Sequence, residues 1–371
     1  MKKLPVYLKV VIILFGLTNF FFILSVAASF LVPLAIACLL SLLLKPVCDR
    51  LEAWKLPRAA AILLCLLVMV ALLGGALVLI VNQFLQFGTE IPAIADKVGD
   101  YAGRLQDVIE DRFNIPPQSQ TGYLEDMLEN ALRSGGALLT ATATGTLGLL
   151  TSAFLIVLYT FFMLYYRSFF NKVLYQAFAH EQHQTVAAII TRVQGVIQNY
   201  IAGVFTVVLI LTVLNTAGLA LIGINYAFFF GAVAGLLNIL PFIGVFIGSS
   251  LPVLYAFVSK DSLWYPLGVL ILFNVIQALE SSVFTPNIVG SRVSLNPLAA
   301  VLALIIGGQL WGPVGMILFI PFTAVLKVVC DEVPSLRPLG MLLGDPNQGE
   351  DSPGKETFFK RLTARLTSSR S

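Results

Sequence analysis

Uncharged runs, not alternating apolar and polar positions, set the pattern of this chain. The first, residues 10–44, holds no charge over 35 residues. As one straight helix it would be roughly 50 Å long, against about 30 Å of bilayer hydrocarbon. Small residues (Ser25, Ala27, Ala28, Ser29) sit at its middle and Pro33 follows. Lys2, Lys3 and Lys9 precede it; Lys45, Arg50, Lys55 and Arg58 follow it. Basic residues favour the cytoplasmic side, so both flanks are expected there, and the run is expected to cross twice, over about 10–26 and 28–44, or to form a hairpin that never fully crosses. A third apolar run covers 59–81.

Residues 90–133 break this pattern with nine acidic residues against four basic ones. Ile94, Val98, Tyr101, Leu105, Val108 and Ile109 recur at helical spacing, Pro116-Pro117 interrupts it, and 124–132 resumes it. The acidic balance predicts a small extracytoplasmic helical insertion. A fourth span over 137–166 carries Tyr159, Tyr165 and Tyr166 where an interfacial aromatic belt belongs. Residues 167–192 read as amphipathic and cytoplasmic. From 193 to 259 no charge occurs, which requires two spans, about 197–222 and 226–258, the second interrupted at Asn238 and Pro241. Apolar runs at 263–283 and 297–329 complete a count of about eight and return the C-terminus to the cytoplasm.

The predicted fold is therefore an all-α polytopic membrane protein of about eight transmembrane helices, with broken or re-entrant segments in its C-terminal half. Its divisions are N-terminal transmembrane helices (1–81), the extracytoplasmic insertion (82–136), the main transmembrane region (137–330, with a cytoplasmic helical loop at 167–195), and a partly disordered cytoplasmic tail (331–371). That tail turns to DPNQGEDSPGKE and then FFKRLTARLTSSR, a basic amphipathic ending suited to anionic lipid.

Composition agrees with lipid as the solvent. The 371 residues are 58% hydrophobic and 12% charged, where a soluble domain has about 25% charged. The formal charge of +3 is small and its basic residues flank apolar runs, which disfavours nucleic acid as a partner. The four cysteines, Cys38, Cys48, Cys65 and Cys330, form no CxxC pair, so no zinc site or disulfide framework is indicated. His180-Glu181-Gln182-His183 spaces its histidines three apart instead of the four of a zinc-protease helix, and reads as a solvated face. Without a Walker motif, a GxSxG elbow or paired membrane aspartates, neither ATP-driven pumping nor intramembrane proteolysis has its required groups. No metal, cofactor or catalytic residue is expected.

The candidate chemistry lies in polar groups stranded in the last third: Asn238, Asn274, Gln277 and Glu280, with Arg292 the one basic residue between Lys260 and Lys327. A charge at the bilayer centre costs about 2.5–3.5 kcal/mol on insertion scales. Asn274, Gln277 and Glu280 recur at i, i+3 and i+6, so a continuous helix puts them roughly on one face. Glu280 is then either a cation or proton site lining a path, or a residue near the outer interface paired with Arg292 or capped by Ser281 and Ser282. GLLNILPFIGVFIGSSLP places Asn238, Pro241, Gly244, Gly248 and Pro252 in apolar sequence. A helix broken there either offers carbonyls to a substrate or is a tight kink without a ligand. Gly231 with Gly235, Gly244 with Gly248, and Gly308 with Gly312 give GxxxG spacings that let backbones approach within or between subunits, so a homo-oligomer is expected.

GLLNILPFIGVFIGSSLPVL followed by IQALESSVFTPNIVGSRVSLNPLAAVLALIIGGQLWGPVGMILFIPFTAVLKVV resembles the autoinducer-2 exporter (AI-2E) family of bacterial membrane permeases. KPVCDRLEAWKLPRAAA and VQGVIQNYIAG extend the resemblance over most of the chain. Two positions depart from the family pattern: Asn296 stands where a histidine often precedes Pro297, and Val245 follows Gly244 where a proline is usual. The resemblance implies transport across the inner membrane, of a quorum-sensing signal in some members and of sodium or lithium against protons in others. The matching positions are Pro241, Gly244, Glu280, Pro286, Gly290, Pro297, Gly307, Gly308, Gly312, Gly315 and Pro321, of which Glu280 alone brings chemistry. Three functions are compatible with this reading: gradient-driven export of a small polar solute, cation/proton antiport, and a scaffold that moves nothing.

Overall fold

The computed structural model describes residues 5–88, 103, 148, 150–178, 183–240, 243–260, 262–289 and 295–344. Most of the expected insertion at 82–136, the HEQH residues 180–182, Pro241, Gly290, Arg292 and the tail beyond 344 lie outside them. The described elements are helical, with one isolated bridge between Leu295 and Gly344.

Helices α1 (Val6–Val26) and α2 (Ala28–Ala53) meet at Ala27. The boundary falls where the small residues place it, yet the chain does not turn back there. Ala27 has φ −86° and ψ 12°, its N–H donates to Ile23 O at 2.9 Å, and its carbonyl accepts from Leu31 N at 2.8 Å. These i→i−4 bonds run through the join, so α1 bends into α2. Next come α3 (Arg58–Gly88) and α4 (Leu150–Tyr165), the latter bent by 64° at Tyr166 into α5 (Arg167–Ala177).

Helix α6 (His183–Ile222) organises the rest. Its 40 residues extend roughly 60 Å, so the expected cytoplasmic segment up to 192 and the fifth span are one unbroken helix. Ile197, Tyr200, Gly203, Val207, Leu211, Asn215 and Leu219 are buried along it, a stripe at three- and four-residue spacing. Every later membrane element can be placed by where it meets this stripe.

The chain reverses at Gly223 (φ 84°) and Tyr226 (φ 57°) into α7 (Ala227–Leu237), which runs back along α6. Side chains at Gly231 and Gly235 would strike Thr216 and Thr212. Helix α8 (Ile243–Ser259) then returns along α7. Gly244 lies on Leu237, Gly248 on Ala234, and the Tyr255 ring packs on Phe230 at 5.3 Å and Tyr226 at 6.0 Å. With 11 residues, α7 is only about 16 Å long. The expected sixth span is thus a re-entrant hairpin that enters and leaves at the Ile222 end of α6. Both GxxxG pairs are consumed inside the chain.

Helix α9 (Trp264–Leu279) continues through a π turn (Glu280–Phe284) into the short α10 (Thr285–Ile288). It runs antiparallel to α6: Gly268 approaches Ile222, Gly218 meets Leu272, and Gly203 meets Ile288.

Helix α11 (Pro297–Glu332) is two arms joined at Trp311 (φ −128°, ψ 19°) and Gly312 (φ 59°, ψ −145°). The backbones of Gly307 and Gly315 touch, which eight residues of straight helix, about 12 Å apart, could not allow. The far ends meet as well. After a 3-10 turn (Pro334–Leu336), α12 (Arg337–Leu343) brings Gly344 beside both Asn296 and Lys327. The eighth run is therefore not a crossing but a second re-entrant hairpin, opening at the Arg192 end of α6. By length and hydropathy alone five helices among the described residues are candidates to cross a membrane, the folded-back α11 counted as one of them, or six with the bent α4–α5 pair. The expected count of eight is not confirmed among these residues: α1, α7 and α8 are shorter apolar helices.

Charges gather at the end of α6 that carries Arg192. Arg167 reaches Asp49 at 3.0 Å and Glu52 at 2.6 Å, Arg192 reaches Glu332 at 2.5 Å, and Lys327 reaches Asp331 at 2.5 Å. Lys45 Nζ donates to Gln194 Oε1 at 2.8 Å and Gln198 Nε2 to Leu42 O at 2.8 Å, tying two of the family-like sequence blocks together. At the other end Lys260 lies over the Tyr265 ring at 5.2 Å and Trp264 is exposed.

Candidate functional site

Glu280 begins the π turn, half-buried, and both its oxygens are engaged. Gln277 Nε2 donates to Oε2 at 2.8 Å, and the Thr285 hydroxyl donates to Oε1. In an α-helix residues five apart point about 140° away from each other; the widened turn brings Thr285 round to the carboxylate. Single π turns inside α-helices recur at functional sites because they re-aim a side chain at a small cost in ladder hydrogen bonds. Among the described residues no basic side chain pairs with Glu280. Its remaining lone pairs are open to a proton, a cation or a solute hydroxyl.

The i, i+3, i+6 triad is only partly assembled. Gln277 and Glu280 meet, but Asn274 is exposed and gives its amide to Leu270 O of its own helix at 2.8 Å. Asn238 caps the C-terminus of α7, with its N–H on Ala234 O at 3.1 Å. The Glu280–Arg292 pairing lies outside the described residues.

Position along α6 relates these groups. Gly235 lies by Thr212 and Val208, so the hairpin tip at Asn238 falls about one turn beyond, near residues 204–208. Ile276 packs with Val207 and Leu211, and Phe284 and Ile288 join that cluster, placing Glu280 at the same level. Trp311 and Leu318 pack with Ile197 and Ile201, so the tip of α11 ends just below. Two hairpins from opposite ends thus stop at about the level along α6 that the π turn occupies. Two turns above, Asn215 is 4% exposed, and neither its Oδ1 nor Thr216 Oγ1 has a partner among the described residues. Buried polar atoms in this state are uncommon, and in an apolar setting they cost stability unless something meets them.

Among the described residues, the other marked positions lie at helix ends, breaks and close helix contacts. Pro286 sits in the first turn of α10. Pro297 opens α11 behind Asn296, whose side chain accepts from Ala299 N at 2.7 Å and donates to Leu342 O at 2.6 Å and Gly344 O at 3.2 Å. The departure from histidine at 296 therefore supplies a cap and a clasp. Pro321 is buried in the second arm, Gly308 faces Met316, and Gly312 is the hinge between the arms instead of a packing partner. The sequence reading missed Thr285, Asn215 and the Asn296 clasp. Only the run ESSVFTP, rich in hydroxyls after a membrane carboxylate, signalled the first.

Among the described residues no three His, Cys, Asp or Glu side chains cluster as metal ligands. Two cavities of about 680 and 530 Å³ lie at the ion-paired end, around Lys172 and Arg58, away from Glu280.

The chain is 31% identical over 327 residues to MT0215 of Mycobacterium tuberculosis (strain CDC 1551 / Oshkosh), covering 85% of this chain and 86% of that one. It is 29% identical over 316 residues to YrrI of Bacillus subtilis (strain 168), covering 82% and 86%. Both names assign a transport role without a cargo. The AI-2 transport protein TqsA of Escherichia coli (strain K12) is 25% identical over 343 residues, 92% of this chain and 97% of that one. Residues 10–335 match the family described as AI-2E family transporter, and the chain therefore belongs to the AI-2E family of membrane transporters.

Proposed function

We propose that the protein is a gradient-driven secondary transporter that exports a small polar solute past the level where its two re-entrant hairpins end. One observation carries the reading: the Glu280 carboxylate is held by Gln277 and Thr285 at the level along α6 where both hairpins end. Half-length helices at mid-membrane need protein or a water-filled cavity around their tips, and broken helices of this kind bind substrate in transporters. The basic residues at the Arg192 end favour the cytoplasm for that end under the positive-inside rule, which supports α11 opening inward and the α7–α8 hairpin outward. A furanone-derived signal suits the site, since its hydroxyls can donate to Glu280 and accept from Gln277. The naming of TqsA for AI-2 supports that class of cargo.

Cation/proton antiport is the second reading, favoured by the lack of a basic partner for Glu280 among the described residues. One experiment addresses both. Proteoliposomes are loaded with the labelled signal, a pH or sodium gradient is imposed, and solute and proton fluxes are followed for native protein and Glu280→Gln. Solute efflux that the variant loses supports export; sodium-dependent proton flux without solute movement supports antiport. Correctly inserted native protein that moves neither would sink both and leave a scaffold.

A further inference from the structure

We infer that α5 and the start of α6 form a binding site for the phosphate headgroup of an anionic phospholipid, with α5 lying along the membrane surface. The 64° bend at Tyr166 takes α5 away from the direction of α4 just where the apolar run ends. Its 11 residues then divide into two faces. Phe170, Val173 and Leu174 fall at three- and four-residue spacing and are 47%, 45% and 42% exposed. The opposite face, with Ser168, Asn171 and Lys172, lines an open surface groove of about 680 Å³ that His183 of α6 borders. An amphipathic helix of this form lies in the interface, apolar face among the acyl chains and basic face toward headgroups.

Charge selects the occupant. The neighbouring cations are already committed: Arg167 to Asp49 and Glu52, and Arg58 to Leu164 O at 2.9 Å and to Ser168 at 3.3 Å. Lys172 has no acidic partner among the described residues. Ser168 and Asn171, one turn or less from it on the same face, add donors suited to phosphate oxygens. The basic end of the C-terminal tail, FFKRLTARLTSSR, carries the same sign and is repelled from Lys172. A phospholipid satisfies both faces at once, its chains covering Phe170 and Leu174 and its phosphate meeting Lys172.

The test is native mass spectrometry of the full-length protein titrated with phosphatidylglycerol or phosphatidylcholine, for native protein, Lys172→Gln, Lys172→Arg and Lys55→Gln. Lys55 is an exposed basic residue at the same end that does not line the cavity. Native protein should retain phosphatidylglycerol in preference to phosphatidylcholine. Lys172→Gln should reduce that preference by about fivefold, in line with one surface cation meeting anionic lipid, while Lys172→Arg and Lys55→Gln keep it. Equal retention of the two lipids, or an unchanged preference in Lys172→Gln, overturns the proposal. So does displacement of the lipid by millimolar inorganic phosphate, which would make the site one for a soluble anion.

Discussion

The indole Nε1 of Trp311 donates a 3.0 Å hydrogen bond to the main-chain carbonyl of Leu24. Trp311 is at the reversal of α11, and Leu24 lies three residues before the bend between α1 and α2. One bond therefore ties the tip of a hairpin to a helix 287 residues earlier in the chain. Trp311→Phe keeps the edge-on contact with Phe319 and deletes the donor. The loss should be about 1 kcal/mol, read as a lower unfolding midpoint in detergent, with transport in proteoliposomes changed less than by substitutions at Glu280.

Gly312→Ala should be costlier. At φ 59° and ψ −145° the backbone is in a region essentially reserved for glycine, and a side chain there strains it by roughly 1–3 kcal/mol. Gly16→Ala is the control, since nothing lies within 4 Å of the added carbon. Folded yield and thermal stability of both variants, measured side by side, check the difference.

Thr285→Val removes one of the two donors to Glu280 without changing side-chain shape much. A hydrogen bond to a charged group contributes about 1.5–3 kcal/mol, so flux that depends on Glu280 should fall roughly tenfold or more, and Thr285→Ser should restore it. Equal flux in Val and Ser variants would remove Thr285 from the site. Asn274→Ala, whose amide is spent on its own helix, should leave flux near native.

Asn296→Ala deletes both the cap on Ala299 and the clasp on the Leu342 and Gly344 carbonyls. Capping alone accounts for about 1 kcal/mol. Hydrogen exchange should show α12 opening first, before the membrane helices lose protection.

The helices themselves were legible because an apolar run of about 20 residues bounded by charge suits little besides a membrane helix: the boundary at Ala27 and the break after Leu237 both follow from small residues and proline in uncharged sequence. What pattern could not supply is direction. Hydropathy reads 297–329 as one crossing, since a hairpin of two apolar arms has the same composition as a straight helix; only the Gly307–Gly315 contact distinguishes them. Thr285 escaped because a 3.6-residue period points it away from Glu280, and the π turn has no periodic signature. The Asn296 clasp and the Arg167 pairs join residues 46 to 118 positions apart, which no local window spans.

The reversal at Trp311–Gly312 also governs how the chain can be assembled. A bend in mid-membrane leaves main-chain groups without i→i−4 partners, and lipid cannot hydrogen-bond them. Released sideways from the insertion machinery alone, α11 would expose that backbone to acyl chains. Its shelter is made by Leu39 of α2 and by Ile197 and Ile201 of α6, all synthesised earlier. The order of synthesis therefore suits the fold: α2 and α6 leave the ribosome before α11, which follows them into a site already built to receive it.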